Sequence, residues 1–577
     1  MNIKILSTAL VVFCVIELFP QKVGDAYALN INNIYLPIND KGILADVNIP
    51  PIGPWGQFGG HTFLFSGGFF LSGFSNGQLW ANAVASASLV EDYLPGTFGN
   101  PNNPDAQLYK LRSDDPPFGQ SWQDWIDAVE LGADFYDGDN DGIYNPVDLN
   151  SNGQWDSTED RPDLLGDETL WCVYHDGVPS VQRRWNTVEP QGIEIRQTVF
   201  AYSTVDELQN IIFIRYRIKN TGVVANEMTD VYFGIWDDPD LGDYTDDLVG
   251  SDTLLQSGYT YNDGADSLYG NNPPAFFQSF LQGPRVYIPG ETFIDNNGNG
   301  NYDEGIDTPL DTAFVYRGQE IGVTIYPGAK NQTFSSSIEY INGDPNLQDP
   351  NTADEARNYM LGLNRIGELP DPCNWTYGQV RGGVNCSEVN PFFWYSGDPV
   401  TNYGWISTYP RDKRQMQNIG PFTLNAGEEY EVFVAYSVGQ GTNALSSITE
   451  GRVIAEISSV LYHCNFLTNC VVSVEENSIT QPDEFILDQN YPNPFNPSTK
   501  ISWQSPVGSW QTIKIYDVLG NEVATLVDEY RFAGTYEVEF NASTLPSSVY
   551  FYQLRTRGPE INSGQGIVET KKMILLK

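Results

Sequence analysis

A twelve-residue segment, residues 148–159, carries oxygen-bearing side chains at a spacing that suits one hard metal ion. Side-chain oxygens fall at positions 1, 3, 5, 9 and 12, a backbone carbonyl at position 7, and a glycine, Gly153, at the turn. Calcium prefers six to eight oxygen ligands, and this spacing folds them around one point. The sequence therefore predicts a calcium loop with the ligands Asp148, Asn150, Asn152, Gln154 (through its carbonyl), Asp156 and Glu159.

A second segment in the same register, residues 137–148, comes directly before it, with Gly142 at the turn. Asp148 would then end the first loop and begin the second. Pro146 argues against a helix after the loop, so the pair resembles the calcium loops of dockerins or thrombospondin type 3 repeats more than a helix-flanked loop. The alternative is a cluster of Asp, Asn and Gly turns without a metal. The predicted ligands are Asp137, Asp139, Asp141, Ile143 (through its carbonyl), Asn145 and Asp148.

A third candidate loop begins at Asp295. Its position 12 is Ile306, which offers no side-chain oxygen, so Glu304 or Asp307 must complete the ligand set. A metal loop and a metal-free turn are equally compatible with this segment. The candidate ligands are Asp295, Asn297, Asn299, Asn301 and Asp303.

The chain is strongly acidic, with a formal net charge of −44 over 577 residues. Such a charge argues against nucleic acid as a partner and favours divalent cations and solubility. Charged residues make up 18% and aromatic residues 13% of the chain, which indicates a globular β-rich protein rather than a disordered acidic tail. One further acidic run is compatible with either a bound cation or a solvated turn: Asp237, Asp238, Asp240, Asp243, Asp246 and Asp247.

Motifs for histidine, phosphate or zinc chemistry are missing from the sequence. H-E-x-x-H, G-x-x-x-x-G-K, G-x-G-x-x-G and C-x-x-C are all absent, and the chain has three histidines. Residues 73–77 fit the G-x-S-x-G nucleophile pattern, but Asn76-Gly77 is a common hairpin pair, so we predict a turn there. A non-enzymatic role is favoured. The enzymatic alternative is a secreted polysaccharide hydrolase that uses two carboxylates.

Alternating apolar and polar residues predict strands through much of the chain, as at residues 212–218, 231–236 and 430–438. Residues 121–131 and 444–464 have a helical period instead. The predicted fold class is mainly β: a multi-domain β-sandwich with calcium-binding loops.

Six cysteines are present, and two pairs are near enough in sequence to close small loops. These pairs are Cys373 with Cys386 and Cys464 with Cys470, while Cys172 is left over. Spacing alone does not determine connectivity.

The N-terminal segment, residues 1–28, has the layout of a signal peptide. Lys4 gives the positive start, residues 5–16 the apolar stretch, and Ala26-Tyr27-Ala28 the small-x-small cleavage motif. The apolar stretch is too short to span a membrane. Export would place the chain where disulfides are permitted.

The C-terminal segment carries several short motifs in a fixed order. Asn490-Tyr491-Pro492-Asn493-Pro494-Phe495-Asn496-Pro497 is followed by Ile515-Tyr516-Asp517-Val518-Leu519-Gly520, Ala533-Gly534-Thr535-Tyr536, Val549-Tyr550-Phe551-Tyr552 and a Lys-Lys-Met ending. This segment resembles the type A C-terminal sorting domain of the bacterial type IX secretion system. One departure is Ser548, where that family usually has glycine. The resemblance implies an immunoglobulin-like fold, export across the outer membrane, and a partner in the secretion machinery.

These observations divide the chain into six regions. They are a signal peptide (1–28), a β-rich region with one helix (29–136), tandem calcium loops (137–160), a large β-sandwich region ending in a helix (161–465), a linker (466–485) and the sorting domain (486–577).

The predicted function is that of a secreted or cell-surface, calcium-stabilised protein. We expect a binding, adhesion or structural role, with surface polysaccharide or glycan, or further copies of the chain, as partners. The alternatives are the polysaccharide hydrolase and a subunit of an extracellular fibre or layer.

Overall fold

A computed structural model describes residues 22–84, 92–100, 103–470, 485–505, 509–518, 520–531, 534–543, 545–557 and 568–577. Nearly all of its regular elements are antiparallel strands, so the prediction of a mainly β fold is confirmed. The predicted signal peptide falls largely outside the described residues. No helix within the described ranges has the length and apolar character needed to cross a membrane.

The first sheet has ten strands and draws them from both halves of the body, by which we mean residues 22–470. Leu94–Pro95 joins it by pairing with Glu168–His175. In spatial order, the other strands are Lys22–Gly24, Leu108–Arg112, Glu168–His175, Ile193–Ala201, Ile211–Asn220, Glu429–Gly439, Ala275–Gln282, Ser257–Asn262 and Asp247–Asp252.

The second sheet also has ten strands. Ala26–Leu29 pairs with Ile34–Asn39 at one side, and Gln78–Ala83 pairs with Ser66–Ser75. In spatial order, the other strands are Phe334–Ile341, Lys413–Asn425, Glu227–Asp238, Ser66–Ser75, Leu44–Ala45, Ile34–Asn39, Gly56–Phe58 and His61–Leu64.

The two sheets pack face to face across one hydrophobic core. Phe69 and Phe233 of the second sheet meet Tyr216 of the first, with ring centroids 5.1–5.3 Å apart. Burial of these large rings is a main source of stability in such a sandwich. The predicted regions 29–136 and 161–465 therefore contribute to the same sheets and share this core.

In the described ranges, three α-helices pack on the sheets: Gln120–Glu130, Ala353–Met360 and Ala444–His463. The first and last lie where the helical period predicted them. Gly132, at φ 100°, follows the first helix in a conformation that favours glycine. The last helix buries Leu461 and Tyr462 against the outer face of the first sheet.

The G-x-S-x-G segment is a hairpin and not a nucleophile elbow. Strands Ser66–Ser75 and Gln78–Ala83 pair directly, and Asn76 and Gly77 between them have φ values of 50° and 78°. Positive φ at both positions is the signature of a type I′ turn. Two disulfides are formed, Cys373–Cys386 and Cys464–Cys470, so the structure supplies the connectivity that spacing left open; among the described cysteines, Cys172 is free and buried.

Residues 22–28 of the predicted signal peptide lie in the body. Lys22–Gly24 pairs with the first sheet and Ala26–Leu29 with the second, and the Lys22 ammonium forms ion pairs with Asp105 and Asp127. A cut after Ala28 would remove nearly all of both strands.

The tail, residues 486–577, has two sheets and a core of its own. Its Pro-rich opening docks on the last strand: the Phe495 N–H donates to the Ile574 carbonyl at 3.0 Å, and the Ile574 N–H donates to Asn493 Oδ1 at 2.9 Å. The first and last sequence motifs thus form one unit. The strands are Ile486–Leu487, Ser498–Ser505 and Gly534–Asn541 in one sheet, and Glu522–Arg531, Ser509–Tyr516, Ser548–Arg557 and Val568–Leu575 in the other.

Candidate metal centre

The two tandem loops form one excursion whose ends are pinned to the first sheet. Strands Phe135–Tyr136 and Arg161–Pro162 pair at its base. Just outside this pair, Asp134 lies 2.7 Å from the Arg217 guanidinium, and Asp163 forms an ion pair with Arg215. The sequence predicted these arginines on a polar strand face, but that face is buried, because the segment carrying the loops covers it.

Electrostatics hold Asp134 in its charged form. Burial alone raises the pKa of Asp134, but Arg217, with Arg215 and Arg317 close by, outweighs it and holds the pKa below its ordinary value. The base of the excursion is therefore held by strand pairing and ion pairs, while most residues of the loops are exposed.

Loop 2, residues 148–159, is folded around its first carboxylate. Asp148 accepts the backbone N–H of Asn152 at 3.1 Å and of Gly153 at 2.7 Å. The side-chain oxygen of Asn150 accepts the Asn152 N–H at 3.0 Å. These bonds bring the side-chain oxygens of positions 1 and 3 together around the Asn152 N–H, which both accept.

Glu159 closes loop 2 with both carboxylate oxygens. One oxygen accepts the Leu149 N–H at 2.8 Å, and the other accepts the Asp156 N–H at 3.1 Å. The side chain is 1% exposed. Position 12 thus bridges positions 2 and 9, and a glutamate at position 12 is the bidentate ligand in calcium loops of this spacing.

Loop 1, residues 137–148, repeats this fold but is closed by a residue that the sequence pattern did not identify. Asp137 accepts the N–H groups of Asp141 and Gly142 at 3.1 and 2.9 Å. The N–H groups of positions 2 and 9, Gly138 and Asn145, donate at 3.0 and 2.7 Å to Asp160.

The closing role predicted for Asp148 in loop 1 thus falls to Asp160, because both oxygens of Asp148 already accept bonds within loop 2. Asp137, Asp139 and Asp160 each place one carboxylate oxygen within 4.8 Å of the others. The signal available in the sequence was the adjacent acidic pair Glu159-Asp160, in which each residue closes one loop.

Loop 3, residues 295–306, has the same internal geometry and the same kind of base. Asp295 accepts the N–H groups of Gly298 and Gly300 at 2.6 and 2.7 Å. Asp307 accepts those of Asn296 and Asp303 at 2.8 and 2.7 Å. Of the two residues proposed to complete the set, Asp307 is therefore the one in position. Strands Phe293–Ile294 and Thr308–Pro309 pair at the base.

The remaining predicted ligands take part in the same local bonds. Asn297 and Asn299 direct their amides to Asp303 at 2.7 Å, and the Asn299 oxygen accepts the Asn301 N–H at 2.8 Å. In loop 1 the Asp141 carboxylate accepts the Ile143 N–H at 2.7 Å. In loop 2 the Asn152 oxygen accepts the Gln154 N–H at 2.6 Å.

Each loop also carries an aromatic residue at position 8, a feature that the ligand pattern does not specify: Tyr144, Trp155 and Tyr302. The Tyr144 hydroxyl donates to the Trp122 carbonyl at 3.1 Å in the first helix. The Trp155 indole N–H donates to the Glu159 carbonyl at 2.9 Å. Tyr302 stacks on Tyr287. Tyr144 and Tyr302 thus join their loops to neighbouring structure, whereas the Trp155 bond closes loop 2 on itself.

The loops concentrate negative charge without protein cations to balance it. Residues 137–160 hold seven acidic and no basic side chains, and residues 295–307 hold four and none. Within the described ranges, no loop carboxylate forms an ion pair with lysine or arginine. Hydrogen bonds from the side chain and backbone of Thr158 lower the pKa of Asp156, and the Gly300 N–H lowers that of Asp295, so these two carboxylates stay ionised.

The acidic run at residues 237–247 is divided among three environments. Asp237 faces the core and accepts the Tyr436 hydroxyl at 2.6 Å. Asp243 holds a turn by accepting the Thr245 N–H at 3.1 Å, and Asp247 accepts the Leu241 N–H. Asp238 and Asp240 instead lie close to Asp412. Asp246 accepts a hydrogen bond from the Asn262 side-chain amide at 2.5 Å.

A cleft of about 880 Å³ opens elsewhere on the body, beside the start of the last helix. Amide, guanidinium and phenol groups line it together with aliphatic side chains. Lining residues include Tyr261, Asn262, Arg381, Asn402, Ile406 and Asn443.

Residues 489–574 match the family of secretion system C-terminal sorting domains, which confirms the predicted resemblance of the tail. This domain indicates export of the chain by the type IX secretion system, to the exterior or the cell surface.

Comparisons of the whole chain add no further argument. No curated protein matches the sequence. A polysaccharide lyase structure is similar over 66% of this chain and 34% of its own, at 8% identity and a TM-score of 0.17. Dimeric latent PorU from Porphyromonas gingivalis is similar over 63% of this chain and 31% of its own, at 9% identity and a TM-score of 0.14. The chain thus spans about a third of each of these structures.

Proposed function

We propose that the exported chain is a calcium-stabilised β-sandwich protein with a binding, adhesion or structural role outside the cell. The observation that carries the proposal is the common geometry of the three loops. In each loop, one carboxylate accepts N–H groups from the turn, and a second, buried carboxylate bridges positions 2 and 9.

Calcium fits this donor set better than other metals do. The candidate ligands are carboxylate, amide and backbone oxygens, whereas zinc and copper sites favour nitrogen and sulfur. Magnesium requires a near-ideal octahedron and keeps several waters, while calcium accepts the variable geometry of such loops. Extracellular calcium modules bind with dissociation constants on the order of 0.1–1 mM, and we expect the same range here.

Calcium would act on the fold through the aromatic contacts of the loops. Tyr144 joins loop 1 to the helix Gln120–Glu130, whose Gln123 amide donates to the Pro146 carbonyl at 3.0 Å. A metal that holds loop 1 closed therefore also holds this helix on the first sheet. Without the metal, seven neighbouring acidic side chains repel one another.

Terbium binding tests the metal proposal directly, because Trp155 lies within loop 2 and sensitises the emission of a bound lanthanide. Indole excitation of the exported protein should give terbium emission that calcium displaces. Glu159→Gln should remove most of the Trp155-sensitised emission, whereas Ser157→Ala, in the same loop but at a non-ligand position, should keep it. Equal emission from both variants would refute loop 2 as a metal site.

We infer that a polysaccharide or glycan partner would bind in the cleft of the body. Its amides and guanidinium can hydrogen-bond to sugar hydroxyls, and its volume suits a short oligosaccharide. Glycan-array binding by the exported protein should be lost in Arg381→Ala and kept in Glu388→Ala, an exposed change outside the cleft lining. Absence of any bound glycan would count against this partner and favour self-assembly, which sedimentation of the same sample would show.

A further inference from the structure

Three carboxylates from two separate parts of the chain meet at one end of the second sheet. Asp238 ends the strand Glu227–Asp238, Asp240 follows two residues later, and Asp412 directly precedes the strand Lys413–Asn425. These strands are antiparallel neighbours, with Asp237 opposite Gln415, so the end of one lies beside the start of the other. One oxygen of each carboxylate lies within 4.8 Å of the others.

Protein cations do not balance this cluster. The Arg414 Nε donates to Asp238 Oδ2 at 2.9 Å, and the same guanidinium lies 3.8 Å from Asp412 and 4.0 Å from Asp349. In the described part of the chain, Arg414 is the one basic residue in ion-pair contact with these four carboxylates, counting Asp240. Asp238, Asp240 and Asp412 thus share one arginine, which Asp349 also contacts.

An unsatisfied buried oxygen points to a missing ligand. Asp238 is 3% exposed, and its Oδ1 accepts no hydrogen bond from any described residue. A buried carboxylate oxygen without a donor or a cation carries a desolvation cost with nothing to offset it. Arg414 engages the other oxygen of the same carboxylate, so Asp238 is held with Oδ1 free and with two further carboxylates beside it.

We propose that Asp238, Asp240 and Asp412 bind a hard divalent cation, with calcium as the expected ion, at a site separate from the three loops. The donors shared by the cluster are oxygens alone, which excludes a preference for zinc or copper. Arg414 acts as a positioning residue that orients Asp238. The bound cation would join the end of one central strand to the start of its neighbour. The ligand spacing matches no linear calcium motif, so sequence patterns do not detect the site.

Counting bound ions in the full exported chain tests this proposal. After equilibrium dialysis against millimolar calcium, elemental analysis should show one calcium ion fewer per chain in the double variant Asp240→Asn/Asp412→Asn than in the wild type. Asp243→Asn, a neighbouring acidic residue that holds the Thr245 turn, should leave the number unchanged. An unchanged count in the double variant would overturn the proposal.

Thermal melting separates loss of the ion from loss of the fold. In EDTA the double variant should melt at or above the wild-type temperature, because two repelling charges are gone. In calcium the wild type should gain more stability than the variant, and an equal gain would overturn the proposal. Asp148→Asn, which acts on loop 2, should remove a different ion. The proposal for the loops and the proposal for this cluster are therefore tested independently.

Discussion

The tail and the body differ in their net charge and in whether they bury charged side chains. The tail holds nine acidic and eight basic residues, a net charge of −1, which leaves −43 for residues 1–485. Among its described residues, the tail buries no charged side chain; its buried polar groups are neutral, such as Asn490, Thr499 and Gln511. The body buries ion pairs such as Lys413–Glu339 and Arg215–Asp163.

This difference indicates which part of the chain depends on its ionic surroundings. The tail core consists of apolar side chains from its own two sheets, which the hydrophobic effect stabilises irrespective of cations. The body carries the acidic loops and the acidic cluster, whose repulsion grows when cations are removed. We therefore expect the tail to fold without calcium and the body to gain stability from calcium outside the cell.

Removal of the tail should produce the largest effect. A chain truncated after residue 485 should remain inside the cell envelope, with almost none in the medium or at the surface, because the sorting domain is gone. The body of this truncated chain should melt at its full-length temperature, since its core is built from its own residues. Export of the truncated chain in undiminished amount would contradict the division of the protein into an export domain and a separate body.

Removal of residues 22–28 should destabilise the body by roughly 4–6 kcal/mol, at about 1 kcal/mol for each hydrogen bond lost. The strands Lys22–Gly24 and Ala26–Leu29 would lose their pairing, together with the Lys22 ion pair to Asp105. Urea unfolding of chains that start at Lys22 and at Leu29 measures this cost. N-terminal sequencing of the exported protein should find a start at or before Lys22; a natural start at Leu29 with equal stability would contradict the expectation.

Breaking a buried ion pair should affect the body alone. The Lys413 and Glu339 side chains are fully buried and 2.7 Å apart, so Lys413→Met leaves the Glu339 carboxyl buried without its cation, which costs about 3–5 kcal/mol. Glu339→Gln in the same chain should recover part of this loss, because it removes the unpaired carboxyl group. The matched change in the tail, Lys500→Met, breaks an exposed pair with Glu537 and should leave the tail melting temperature unchanged. Comparable losses of stability from Lys413→Met in the body and Lys500→Met in the tail would contradict the contrast between the two regions.

The tail was predictable from the sequence because its contacts are encoded by short motifs in a fixed order. The Asn-Pro motif and the final strand bind each other directly through Asn493 and Ile574. The hairpin at Asn76-Gly77 and the last helix were predictable for the same reason, since local pattern determines them.

The rest depended on contacts between distant residues. Asp160 closes loop 1 from outside the twelve-residue pattern of that loop. Asp412 lies beside Asp238, although more than 170 positions separate them in the sequence. Arg215 is buried because a segment distant in the sequence covers it. Linear spacing does not encode such pairings. The sequence analysis therefore predicted two separate regions, whereas in the structure the strands of both regions belong to the same two sheets.

A smaller effect should appear in the pH dependence of the body. Burial, with a contribution from Asp252, raises the pKa of Glu456 to about 7. Because the folded state binds this proton more tightly than the unfolded state, the contribution of Glu456 to stability is present below about pH 4.5 and is lost as pH rises through 7. Between pH 5.5 and 8.5, Glu456→Gln should reduce the loss of unfolding free energy by about 2 kcal/mol. Urea unfolding in EDTA at pH 5.5 and 8.5 measures it, and an unchanged pH slope would contradict the assignment.

Scanning calorimetry of the exported chain, in 10 mM calcium and in EDTA, tests the calcium claim most directly. With calcium at about 10–100 times their dissociation constants, the three loops contribute about 1.4–2.7 kcal/mol each, so at an unfolding entropy of about 2.1 cal/mol/K per residue chelation should lower the body transition by about 5–9 °C. The tail transition should stay in place and serve as the internal reference. The variant Asp137→Asn/Asp148→Asn/Asp295→Asn should lose most of the calcium shift. A body transition that does not move with calcium, or a tail transition that moves equally, would contradict the account.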